Sequence, residues 1–245
     1  MLEMFLTSSF WVDVLKIIMI DLLLSGDNAV VIALACRNLP AEQRRKGILF
    51  GVGGAIVLRI VLTFFAVSLL TLPYLKLIGA LLLIWVGVKL LLPEDEHGED
   101  SIKAETKLFA AIKTIIIADF VMSLDNVLGV AAAAKGNTFL LVFGLLISIP
   151  LIAWSSQLVL KIIDRFPAVI FAGGALLGYV AGEMLVSEAV LAPLFETRHY
   201  LHYVIPVVCA LLVLGLGRWL AMRQTTGAIA VDLLDAKVDS KNSEQ

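Results

Sequence analysis

Four aspartates lie inside long apolar runs, and they recur in register. Asp21-Leu-Leu-Leu-Ser-Gly-Asp-Asn-Ala29 is echoed by Asp119-Phe-Val-Met-Ser-Leu-Asp-Asn-Val127. Asp21, Ser25, Asp27 and Asn28 thus correspond to Asp119, Ser123, Asp125 and Asn126, each pair 98 positions apart. A carboxylate at the centre of a membrane helix costs about 2.5–3.5 kcal/mol on the insertion scale. Four of them, repeated with their polar neighbours, call for a compensating charge. The pattern points to a cation site built from two halves of an internally repeated membrane protein.

Composition agrees with that reading. The chain is 60% hydrophobic and only 16% charged, against roughly a quarter charged in soluble domains. Its 245 residues have room for about seven spans of ~20 residues. A net charge of −2 gives no pointer to nucleic acid. Cys36 and Cys209 stand far apart with no Cys-x-x-Cys spacing, so they read as buried thiols. Glu3 and the long apolar run after it do not resemble a cleaved signal.

The chain divides into a first three-helix repeat over 1–92, an acidic cytoplasmic linker over 93–107 and a second, inverted three-helix repeat over 108–190. An outer loop and a seventh helix follow over 191–222, then a polar, frayed cytoplasmic tail over 223–245. The expected fold is an all-α polytopic membrane protein with seven transmembrane helices: two inverted repeats and one extra helix. The repeat extends past the motif. Phe50-Gly51 falls on Phe143-Gly144, while Gly79, Trp85 and Lys89 fall on Gly173, Tyr179 and Glu183. An odd number of spans per repeat inverts the second copy, an arrangement that recurs in secondary transporters with the site between the halves. Basic residues follow spans one, three, five and seven (Arg37, Arg44, Arg45, Lys46; Lys103, Lys107; Lys161, Arg165; Arg218, Arg223). The positive-inside rule then puts the N-terminus outside and the C-terminus in the cytoplasm.

On an unbroken helix Asp21, Ser25 and Asn28 share a face. Asp27 lies about 100° off it. A loosening at Ser25-Gly26 would turn Asp27 inward, but Leu124 replaces the glycine in the second copy. The expected metal ligands are Asp27, Asn28, Asp125 and Asn126, with Asp21 and Asp119 as outer or alternate ligands. Ser25, Ser123, Arg59 and Glu183 are auxiliary candidates: neutral ligands, a counter-charge for one aspartate when no metal is bound, and a proton or cation relay. Carboxylate and amide oxygens suit magnesium, calcium or manganese over copper or zinc. The alternative is that these polar groups only tie helices together.

Weaker features read structurally. Glu196, His199 and His202 are spaced for one helical face, and interfacial histidines explain them better than metal capture. Gly51-Val-Gly-Gly54 and Gly173-Gly174 suit close helix packing. The acidic run Glu94 to Asp100 reads as a solvated loop. No nucleotide-binding loop or enzyme signature is present, and the Gly-x-Gly-Asp pattern of intramembrane aspartyl proteases is absent.

Ser25-Gly-Asp-Asn-Ala-Val-Val-Ile-Ala33, paired with Asp119-x-x-x-Ser-Leu-Asp-Asn126, resembles the TerC family within the LysE-like exporters. The resemblance spans roughly residues 11–222. It implies a seven-helix protein of the bacterial cytoplasmic (inner) membrane that exports metal ions, chiefly manganese; the oxygen donor set by itself is equally open to calcium. It extends the ligand role to Asp27, Asn28, Asp125 and Asn126, and more loosely to Asp21 and Asp119. The implied partners are the divalent ion and the bilayer, with a homo-oligomer compatible. The drive would come from counter-moving protons or from the membrane potential. A membrane scaffold for a stress-response (tellurite or alkaline) or secretion assembly is the competing reading.

Overall fold

Inside a bilayer the backbone has no water to bond to, so a spanning chain must close its hydrogen bonds within helices or a closed barrel. This chain takes the helical solution. A computed structural model describes residues 8–24, 26–70, 72–93, 101–134, 137–196 and 199–242. In chain order these form α1 (Ser8–Leu24), α2 (Gly26–Cys36), α3 (Ala41–Leu70), α4 (Leu75–Leu91) and α5 (Ser101–Ala134). They continue with α6 (Thr138–Arg165), α7 (Ala168–Val186), the short α8 (Ala192–Glu196) and α9 (Leu201–Asn242). No strand occurs among the described residues.

Among the described residues, four segments are long and apolar enough to cross a membrane: Ala41–Phe65, Phe139–Arg165, Ala168–Val186 and Leu201–Arg223. The bent pair α1–α2 makes a fifth if it is counted as one span. Two boundaries differ from the sequence reading. α5 begins at Ser101, inside the stretch read as linker, and α9 runs to Asn242 through the stretch read as a frayed tail. Residues 101–107 include two lysines, an alanine and a glutamate, and residues 223–242 include alanines, leucines and lysines, all of which favour helix. The acidic run at 94–100 and the turn residues Lys135 and Gly136 lie outside the described residues.

The helix ends show how local sequence sets the joints. Asn137 caps α6, its side-chain oxygen accepting from the Leu140 N–H at 3.1 Å. α4 starts after Tyr74, whose φ of 65° places it in the left-handed region with no cap of its own. Glu188, buried in the loop after α7, supplies that cap. Its Oε2 accepts from the backbone N–H of Lys76 at 3.1 Å and of Leu77 at 3.2 Å. A carboxylate there also meets the positive end of the helix dipole.

Small residues set the packing distances. α3 lies against α5, α6 lies against α1 and α2, and α7 lies between α4 and α9. A Cβ added at Gly51 of α3 would sit 2.6 Å from the Ile115 side chain of α5. A Cβ at Gly144 of α6 would sit 2.6 Å from Ile17 of α1. Ile17 and Ile115 are 98 positions apart, and Gly51 and Gly144 are 93 apart, the same two offsets that relate the repeats. The two glycine-to-isoleucine contacts therefore join corresponding positions of the two repeated sequence stretches. α7 meets α9 backbone to backbone: a Cβ at Gly178 would fall 2.6 Å from the Cys209 carbonyl oxygen, and one at Gly182 would fall 2.4 Å from Pro206 Cα. Such close approach of small residues drives helix association where lipid removes the hydrophobic contrast. Large apolar side chains face outward on most helices, among them Phe64, Trp85, Trp154 and Leu211.

Gly51→Val and Gly144→Val should therefore destabilise to similar extents, each by about 1–3 kcal/mol of overpacking. Gly53→Ala should be near neutral, since a Cβ there meets nothing within 4 Å. Thermal unfolding of purified protein in detergent measures all three; a large cost at only one of the paired glycines would refute the equivalence of the two contacts.

Candidate functional site

The first motif sits at a joint and the second does not. α1 ends at Leu24 and α2 begins at Gly26, and the axes of Phe10–Asp21 and Gly26–Cys36 differ by 53°. α5 runs straight through the second motif, and Leu124, at the place of Gly26, is buried in its packing. Glycine's weak helix propensity accounts for the break on one side only.

Four helices meet at the motifs. Arg59 of α3, 2% exposed, reaches both repeats. Its Nη1 donates to Asp21 Oδ1 of α1, and its Nη2 donates to Asp119 Oδ1 of α5 at 2.8 Å. Its Nε donates to Ser123 Oγ at 3.1 Å, and the Ser123 hydroxyl donates in turn to Asp119 Oδ2 at 3.1 Å. Asn28 of α2 joins from the fourth side, its Nδ2 donating to Asp119 Oδ1 at 3.0 Å. Asp21, Asp119, Ser123 and Asn28 are all buried. The Asn28 Oδ1 atom is buried with no hydrogen-bond partner. An amide oxygen left so is costly and marks a place for a donor or a cation.

The remaining candidates fall around or away from this cluster. Asp27 is half-buried; its Oδ1 accepts the Asn28 N–H at 2.9 Å, and it lies within electrostatic reach of Arg59 and Asp119. Asn126 is half-buried on α5. Ser25 and the Asp125 side chain lie outside the described residues. Glu183 is exposed on α7. His199 and His202 are exposed, and the His202 ring packs edge-on to Phe195 at 5.9 Å, while the Glu196 side chain lies outside the described residues. Cys36 and Cys209 are both buried and free. Among the described residues no three His, Cys, Asp or Glu side chains converge as a metal cluster; the convergence here is of two carboxylates, an amide and a hydroxyl around a guanidinium.

Two consequences went beyond the sequence reading. Arg59 pairs with Asp21 and Asp119 at once rather than with one aspartate, because a guanidinium fork can serve two acceptors. Glu188 was not singled out at all, and its capping partners are 111 and 112 positions away in the chain. The signal was a lone glutamate just after an apolar span.

Multiple apolar helices around a buried ionic cluster define a multi-pass integral membrane protein. The chain belongs to the integral membrane protein TerC family, whose profile matches residues 6–225. It is 44% identical over 190 residues to the uncharacterized membrane protein YjbE of Bacillus subtilis, covering 78% of this chain and 86% of that one. It is 26% identical over 203 residues to Bacillus subtilis YceF, an uncharacterized membrane protein, covering 80% and 77%. It is 24% identical over 175 residues to the UPF0053 inner membrane protein YgdQ of Escherichia coli K12, covering 65% and 73%. No solved structure matches the chain.

Removing one partner of a buried ion pair typically costs about 3–5 kcal/mol, because the other charge stays uncompensated. Arg59→Met should show that loss. Adding Asp21→Asn and Asp119→Asn to it should recover much of the stability, since the charges then vanish together. Unfolding midpoints in detergent decide the point; losses that simply add would show that the three side chains do not form one unit.

Proposed function

We propose that this protein is a secondary transporter that exports divalent metal cations, with manganese the foremost cargo and calcium the other, across a bacterial inner membrane. The observation that carries the reading is the convergence of Asp21, Asp119 and the unpartnered Asn28 oxygen at one buried point between the two motifs. All these donors are hard oxygens, which favour manganese or calcium over copper and zinc. Asp27, Asp125 and Asn126 complete the ligand set or hand the ion to it, and Ser25 and Ser123 contribute neutral oxygens. Glu183, exposed on α7, is left out of the set. Manganese as the foremost cargo rests on the resemblance of the two Asp-Asn motifs to the family.

The wider architecture belongs to the same proposal. Seven spans follow if α4 and α5 cross the bilayer along with the bent α1–α2 pair. α4 is 17 residues long, about 25 Å, and modest bilayer thinning accommodates it. The matched Gly51–Ile115 and Gly144–Ile17 contacts support two inverted halves. The inner-membrane name of YgdQ supports the location. The terminal orientation rests on the positive-inside rule alone. Export of a cation runs against an inside-negative potential, so proton counter-movement is the drive.

One observation favours a second reading. Arg59 already pairs with both Asp21 and Asp119, so a helix-tying ionic core in a scaffold would explain the cluster without cargo. Manganese uptake into everted vesicles under an acid-inside pH gradient separates the two. The transporter reading expects uptake by the wild type and its loss in Asp27→Asn, Asp125→Asn protein present at the same membrane level. Wild-type uptake indistinguishable from empty vesicles, or undiminished in the double variant, would leave the scaffold reading ahead.

A further inference from the structure

Resting on the transporter reading, we infer that Arg59 is a specificity-determining residue: a resident monovalent cation that only a divalent ion displaces from Asp21 and Asp119. The guanidinium is permanently charged. It is held by three side chains from two helices, Asp21 on α1 and Asp119 and Ser123 on α5. It lies on neither motif helix itself but on α3, which packs against α5. The second half has no equivalent: the position 93 residues on is Ile152, an apolar core residue. One cation therefore serves two equivalent acids, and any incoming ion must compete with it for the same oxygens.

That competition sorts ions by charge. At a given distance a divalent ion interacts with a carboxylate twice as strongly as a monovalent one. Sodium or potassium entering in place of Arg59 would exchange one unit charge for another. It would forfeit the charge-assisted hydrogen bonds of the guanidinium and gain little. A divalent ion brings a second unit of charge to a pair of acids that Arg59 leaves with one negative charge in excess. It also finds the Asn28 Oδ1 oxygen waiting without a partner, an atom that a guanidinium turned toward Asp21 and Asp119 does not satisfy. Half-buried Asp27, within electrostatic reach of Arg59, offers the displaced guanidinium a carboxylate on the less buried side. The cost of moving Arg59 thus sets an affinity threshold that abundant monovalent cations fail to cross. Cation exclusion then needs no cavity fitted to ionic radius.

The experiment is equilibrium manganese binding to the purified full chain in detergent, at fixed ionic strength set by sodium chloride or by choline chloride. In the wild type, affinity should be the same in both salts. In Arg59→Met, manganese should bind about tenfold tighter or more in choline, and sodium should now weaken it. Arg59→Lys keeps the charge and loses the fork. It should bind manganese more tightly than the wild type while still excluding sodium, and it decides the matter if the methionine variant does not fold. Sodium competition already present in the wild type, or methionine and lysine variants with unchanged affinity and salt response, would overturn the inference. A wild type that binds no manganese in either salt would remove the transporter reading itself, and this inference with it.

Discussion

The structure turns on one buried ion triad, Arg59 between Asp21 and Asp119. Each carboxylate alone would be expensive within an apolar span, and so would the guanidinium. Together they compensate one another and tie α1, α3 and α5 into one unit. The geometry of that unit follows from its neighbours. Gly51 lets α3 approach Ile115 of α5, two helical turns before Arg59 on its own helix. The Ser123 hydroxyl, accepting from Arg59 and donating to Asp119, fixes the carboxylate's orientation.

Part of this was legible in the sequence. The doubled aspartate motif drew attention to Asp21 and Asp119, which the fold brings to one guanidinium. Gly51, matched to Gly144 across the repeats, read as a close-packing position, although nothing in the sequence singled out the isoleucines these glycines meet. Helices were readable because long apolar runs in lipid have few other options. The hierarchy among the aspartates was not legible. Helical spacing placed Asp21 with Asn28 on one face, but which carboxylate is buried depends on where α3 delivers Arg59, and no local pattern encodes that. The two copies also diverge: the break between α1 and α2 changes the direction of the first motif, whereas α5 stays whole with Leu124 buried. Glu188 was invisible for a related reason, since a cap supplied across a packing interface leaves no signature around either partner.

The asymmetry carries the functional argument. A repeated site whose halves were identical would place two like charges face to face with no compensation. A single arginine from one half resolves this and leaves the pair with one negative charge in excess and one amide oxygen unsatisfied. A scaffold would be served as well by neutral polar ties, which bridge membrane helices at lower cost. Excess negative charge and an unfilled oxygen are what a site for a hard divalent ion requires.

The most direct measurement is a manganese electron paramagnetic resonance titration of the purified protein in detergent, comparing the wild type with Arg59→Met, Asp21→Asn, Asp119→Asn protein, in which the buried charges are removed together. The account predicts that one manganese ion per chain leaves the free-ion signal in the wild type and none does so in the variant, with both remaining folded. Equal loss of free ion in the two proteins would contradict it.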